Sequence, residues 1–133
     1  MDNSLKIGKY LIKMLEHSTE FTNMCSIDRV YGLISEQSPQ YPFIVYSRSR
    51  LNVTYTKDLI YGKINNVEIT VDCHHNSYTK SVELANVVRA ALEGCYVNND
   101  EVHIEPMRLI QCQEFTDGNG DFCQVLVFST SIQ

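Results

Sequence analysis

"VEITVDCHHNSYTKSVELANVVRAALEG", residues 67–94, decides how this chain folds. Over its first residues apolar and polar side chains alternate: Val67, Ile69, Val71 and Cys73 share one face, and Glu68, Thr70 and Asp72 share the other. That period of two predicts a half-buried strand. From Ser77 onward the period lengthens to about 3.6. Leu84, Ala85, Val88, Ala91 and Leu92 fall on one stripe, with Glu83, Asn86 and Glu93 opposite. A helix is predicted there, with Ser77 as its N-cap and Gly94 as its C-terminal stop.

Between the two lies "DCHH", residues 72–75, with a carboxylate, a thiol and two imidazoles in four positions. These are the residue types of a metal site or an activated nucleophile, so the spacing has to decide. The alternation sends Cys73 to the core and Asp72 to the opposite face, which separates their side chains. His74 and His75 also diverge at the strand end, and the sequence holds no second ligand pair at zinc-like spacing. A nucleophilic thiol needs a base within hydrogen-bond reach, and no local signature places His17, His74, His75 or His103 beside a cysteine. The expectation is a strand-to-helix corner, with no catalytic residue, metal or cofactor assigned.

Outward toward the N-terminus, Ile7, Leu11, Met14 and Leu15 recur at helical spacing with Lys6, Lys9, Lys13 and Glu16 on the other side, predicting an amphipathic helix over 4–17. A short helical turn is expected over 19–24, a brief strand in "DRVYGLIS", and a loop in "SEQSPQ". "YPFIVYSRSR", residues 41–50, reads as a longer strand with Pro42 at its start, where a missing N–H does least harm. Residues 51–61, "LNVTYTKDLIY", lack a clear period and read as a loop or projecting arm. Their aromatic and β-branched content predicts an arm that is mobile in an isolated subunit and ordered against a neighbour.

Toward the C-terminus, "EVHIEPMRLIQCQEF" and "FCQVLVFSTSI" flank "TDGNGD", whose Asp, Asn and Gly residues suit a hairpin turn. Pro106 interrupts the first of these strands and suggests an edge or a bulge. "DGNGD" resembles the opening of an EF-hand loop, but Phe122 stands where glycine is needed and Phe128 where a bidentate glutamate is needed. The sequon "NVT" at Asn52 means little in a cytosolic protein. No glycine-rich phosphate loop occurs.

The 133 residues, 44% of them hydrophobic, fit one domain over 1–133 with its own core. No apolar run approaches the roughly 18 residues of a membrane span, and the N-terminus lacks an uninterrupted signal-peptide core. The five cysteines form an odd set without CxxC and read as reduced, buried thiols. The protein is therefore expected to be made and kept in the cytosol, away from membranes. Residues 1–57 carry seven Lys/Arg against five Asp/Glu, and residues 58–133 carry four against eleven. That balance lacks the basic face of a nucleic-acid clamp.

One ordered set of motifs carries a resemblance. "PFIVY" at 42–46, "VEITVDC" at 67–73 and "SYTKSVELANVVRAALEG" at 77–94, followed by the hairpin, resemble the tail completion (tail terminator) proteins of long-tailed bacteriophages. Each motif alone is little more than core patterning; their order and spacing, over most of the chain, carry the likeness. The corner histidines stand where an aromatic or small residue is frequent, and "LNVTYTKDLIYGK" departs from a Gly-rich loop common in relatives. The resemblance implies an α+β, two-layer domain with two main helices on one face of a mostly antiparallel sheet. It also implies a non-enzymatic virion protein of the tail or neck, made in the bacterial cytoplasm. Its partners would be copies of itself in a six-fold ring, the tail tube protein and the head connector protein, with DNA passing through unread. The acidic C-terminal half fits such a channel, and equally fits simple solubility.

Two other classes remain open at this point. A head-to-tail connector would bind the portal side instead of tube ends, and a small cysteine or metal hydrolase would show a perturbed thiol or a bound metal. For subunit contacts, both faces of the strands around Phe43 and Val125 carry hydrophobes, while two helices cover only one face. The set Ile44, Tyr46, Leu126 and Phe128 is expected to be the open one and, with Tyr55, to form the subunit interface. Arg48, Arg50 and Lys57 are expected to make arm or loop contacts.

Overall fold

The computed structural model of the chain describes residues 4–35, 37, 39–54 and 64–132. A 3-10 turn at Ser4–Lys6 leads into α1 (Ile7–Glu16), and α2 (Thr19–Met24) follows. After a second 3-10 turn at Ile27–Arg29 come β1 (Val30–Gly32), β2 (Phe43–Thr54) and β3 (Ile64–His75). Then come α3 (Tyr78–Leu92), the two-residue strands β4 (Val97–Asn98) and β5 (His103–Ile104), and the hairpin strands β6 (Arg108–Thr116) and β7 (Phe122–Ile132). The fold is α+β, as the sequence predicts, with a short third helix, α2, beside the two main ones.

The strands form one sheet in the order β1-β2-β3-β7-β5-β4, with β6 pairing β7 beside β5. Only β1 and β2 run parallel; β3 pairs antiparallel with β2 on one side and with β7 on the other. The alternation of residues 67–73 is realised directly. Val67, Ile69, Val71 and Cys73 are buried, while Asp72 points to the opposite face.

Helices α1 and α3 pack on the face that β3 makes apolar. Ile7, Tyr10, Leu11, Met14 and Leu15 of α1 and Leu84, Val88, Ala91 and Leu92 of α3 join Ile44, Ile69, Leu126 and Phe128 in one core. The Ser18 hydroxyl accepts from Phe21 N at 3.2 Å and caps α2. Ser77 caps α3 as expected, and Gly94, at φ +81°, lets the chain leave α3 with its N–H donated to Met107 O at 2.8 Å. Close approach of α1 to the sheet depends on Gly8: a Cβ there would stand 2.8 Å from the Tyr46 ring.

Three expectations change. Ile44, Leu126 and Phe128, expected on the open face, are fully or almost fully buried beneath the helices, and Tyr46 packs against the same core. The physical reason is register. Ile44 lies opposite Cys73, Tyr46 opposite Val71, Leu126 opposite Val71 and Phe128 opposite Ile69, so all four share the buried face of β3. Residues 51–54 belong to β2 instead of to an arm, while Tyr55, Lys57 and the rest of the expected arm lie outside the described residues. Pro106 separates two strands, β5 and β6, where one was expected, and a register shift follows between Leu109 and Gln111.

The face assignment can be tested by stability. Phe128→Ala should cost about 3–5 kcal/mol in urea unfolding, as for a buried phenylalanine. Val127→Ser, on the other face, should cost clearly less, and equal losses would contradict the burial described above.

Candidate functional site

The face of the sheet away from the helices is built in cross-strand rows. Phe43, His74, Cys123 and Phe115 make the first row; Val45, Asp72, Val125 and Gln113 the second; Ser47, Thr70, Val127 and Gln111 the third. Among the described residues no helix packs on this face, and Val45, Val125 and Val127 are half-buried while Phe115 is 58% exposed. A sheet face of this composition is covered too little for a protein interior and is too apolar for a fully solvated surface.

Asp72 sits in the middle of it. Burial raises the pKa of its carboxyl, and the nearby His74 partly offsets this.

At one end the face closes over itself. The ring of His74 stacks on Phe43 with centroids 4.4 Å apart, and Tyr31 and Tyr41 pack on the same phenylalanine. His74 Nδ1 donates to the Asp121 carboxylate, 3.1 Å from each oxygen, while its Nε2 lies 3.7 Å from Cys123 Sγ. The structure thus brings together a thiol, an imidazole and a carboxylate that sequence reasoning had kept apart. The pairing of β3 with β7 does this by setting His74 opposite Cys123. His75 points to the other face and bonds Asn76, as the corner reading required.

The constellation has the outline of a nucleophilic triad without its chemistry. Burial, with the charges of Asp72 and Asp121, pushes the Cys123 thiol up to about 12. At neutral pH it is a protonated, buried thiol beside the imidazole, whereas an attacking cysteine is a lowered, accessible thiolate. Burial likewise raises Cys25 to about 11 and Cys73 well above the usual thiol range. The two nitrogens of His74 face Asp121 and Cys123 separately, as in a triad, so the three groups do not converge on one metal position. Among the described residues no cluster of His, Cys, Asp or Glu is placed to hold a metal ion.

The two edges of the sheet differ. On one side the β6–β7 hairpin stands free, with Ile110 50% exposed at the register shift and a turn locked by Asp117, whose Oδ1 accepts from Asn119 N at 2.7 Å and Asp121 N at 3.1 Å. Tyr78 of α3 donates to Glu114 at 2.9 Å and holds the strand from the helix side. On the other side, α1, β1 and β2 frame a groove of about 410 Å³ lined by Leu5, Lys6, Lys9, Leu33, Tyr46 and Arg48. Arg48 Nη1 donates to Leu5 O at 3.1 Å and closes its wall, whereas Arg50, beyond the β2 register shift, pairs with Glu68 at 3.2 Å on the opposite face. Arg48 and Arg50, both expected to make arm or loop contacts, therefore point to different sides.

This architecture, a curled sheet with helices on one face and a projecting hairpin, has counterparts among solved structures, and the sequence matches a known family. The family described as tail completion protein gp17 matches residues 9–130. The chain belongs to that family. It is a structural protein of the phage tail, as family membership states. None of the curated proteins compared matches its sequence. Among solved structures, a chain from the virion of a native gene transfer agent particle is similar, with TM-score 0.64 and 14% identity over 92% of this chain and 90% of that one. A second solved protein has TM-score 0.60 and 12% identity over 94% of this chain and 95% of its own. At these identities the likeness is one of fold. Among the described residues of this tail completion family member, no helix is long and apolar enough to cross a membrane.

Two measurements check the chemistry of the open face. A thiol-reagent titration at pH 8 should find one fast thiol in the folded protein, lost in Cys112→Ser, because Cys112 alone among the five is exposed. A fast-reacting Cys123 would restore the nucleophile reading. For Asp72, the raised folded pKa means that folding favours the protonated acid. That stabilisation is complete below the ordinary aspartate value and is lost as pH rises through the folded one. Asp72→Asn should therefore raise the melting temperature at pH 7, with the gain disappearing at pH 3.

Proposed function

We infer that the chain is a single-domain, non-enzymatic tail terminator that assembles into a six-fold ring, caps the finished tail tube and offers its other side to the head connector. The observation that carries this reading is the sheet face with Val45, Val125, Val127 and the exposed Phe115, together with a hairpin edge that pairs only with β7 among the described residues. Both are surfaces that a second protein chain covers with apolar contact, and membership of the tail completion family supplies the setting. On this reading the open face replaces the Ile44, Tyr46, Leu126 and Phe128 set as a source of contacts.

The charge of the C-terminal half suits a channel element that DNA traverses without being held, since like charge repels phosphates within about a Debye length, roughly 8–10 Å at physiological salt. Catalysis has no part in this role, and the protonated, buried Cys123 agrees with that.

Electron microscopy of the purified protein mixed with assembled tail tubes tests the proposal. The expected images show six-fold rings seated on one end of each tube, and tubes so capped accept connector-bearing heads. Binding confined to the portal side of the connector, with bare tube ends, would replace the terminator role by that of a neck connector.

A further inference from the structure

The two free edges of the sheet are chemically complementary. The β6–β7 hairpin, residues 108–132, carries three carboxylates, Glu114, Asp117 and Asp121, all near its turn, and a single Lys or Arg, Arg108, at the far end of β6. Beside the carboxylates the hairpin exposes Ile110 and Phe115. At the far edge the groove between α1, β1 and β2 has the reverse character. Lys6, Lys9 and Arg48 rim it, and Leu5 and Leu33 stand 66% and 76% exposed beside it.

Leu33 is held there against its own backbone preference. It is the one described non-glycine residue with positive φ, at 71°, fixed by its N–H to Tyr46 O at 2.8 Å. A left-handed leucine is strained, and such strain persists only where surrounding structure imposes it.

We propose that the acidic β6–β7 hairpin of one copy docks, Phe115 first, into the basic-rimmed groove at Leu33 of the next copy. The hairpin is pre-organised for such a role, since its turn is closed by Asp117 and by Thr116 Oγ1 donating to Asp121 O at 2.8 Å. Sheet order sets β1 and β6 on opposite sides of the β2-β3-β7 centre, so one copy cannot fill its own groove and presents both halves of the contact outward. Two different patches make a heterologous contact, the kind that closes into a ring when its rotation permits. Hairpin against hairpin, the alternative two-fold contact, would set the carboxylates near the turn against one another, with Arg108 at the other end of β6.

This contact deepens the ring reading and rests on it, so the test separates the two. In a Cys112→Ser background, one preparation carries Leu33→Cys and a second carries Phe115→Cys; each is oxidised alone and after mixing, with and without tail tubes. The expected result is a cross-linked dimer only on mixing, and a ladder ending at six copies when both substitutions share a chain. Lys6→Glu with Lys9→Glu should lower the yield several-fold at low salt, and added salt should lower it in the parent. Cross-linking of Phe115→Cys to itself would overturn the proposal in favour of a two-fold contact. Cross-linking of Leu33→Cys to the tube protein would overturn it in favour of a tube-binding groove. Rings seen by microscopy without cross-links would overturn this contact and leave the ring reading standing, whereas absence of both would overturn both.

Discussion

The parity of β3 is the constraint on which the rest of the molecule depends. Its odd positions, from Val67 to Cys73, are buried beneath α1 and α3, and it is hydrogen-bonded along both edges. Side chains in paired strands share a face when they are directly opposite, so β3 dictates which residues of β2 and β7 enter the core. A slip of one residue in either pairing would exchange Ile44 for Phe43 or Val45, and Phe128 for Val127, throughout the layer. The helices reinforce the choice. Leu84, Val88 and Leu92 of α3 meet this face because α3 follows β3 after the two-residue link of Asn76 and Ser77, which leaves the chain little freedom to reach the other side.

Local register shifts then adjust what the parity would otherwise fix. The shift between Arg48 and Arg50 lets β2 point Arg48 toward α1 and Arg50 toward Glu68, so cations two positions apart serve opposite faces. The shift between Leu109 and Gln111 adds Ile110 to β6 and leaves that side chain exposed at the sheet edge. Such irregularities are characteristic of edges and re-aim side chains. Here the extra residues, Ser49 and Ile110, lie on β2 and β6, while β3 contributes consecutive residues to its pairings and meets β7 without a shift.

Much of this was legible in the sequence because it is local. The strand of residues 67–73, the capped helix after Ser77, the amphipathic first helix and the hairpin around "DGNGD" each follow from a period or a turn signal within a dozen residues. The face assignment on β2 and β7 was not, since both parities there are apolar and only pairing with β3 resolves them. One overlooked signal pointed the right way: Ser129 and Ser131 share the parity of Val125 and Val127, whereas Ile132 shares that of Leu126 and Phe128, so polarity rises on the open side. The contact of His74 with Cys123 and Asp121 could not be read locally at all, because it joins positions 47 and 49 residues apart through strand register.

Charge segregation follows from the same topology. Because the chain lays down α1, β1 and β2 at one side of the sheet and finishes with β6 and β7 at the other, an uneven distribution along the sequence becomes an uneven distribution in space. Residues 1–57 carry an excess of cations and residues 58–133 a large excess of carboxylates. Copies that met through a two-fold axis would bring like surfaces together and lose the attraction this arrangement offers. Copies that meet head to tail bring each acidic edge to a basic one, and continue to do so around a closed ring. The screening length at physiological salt, roughly 8 Å, is short compared with the span from β1 across β2, β3 and β7 to β6, about 19 Å at roughly 4.8 Å per strand spacing, so each edge would act on its own neighbour. In the proposed contact, the polarity of the sequence would become, through the sheet, a bias toward a directional contact over a symmetric one.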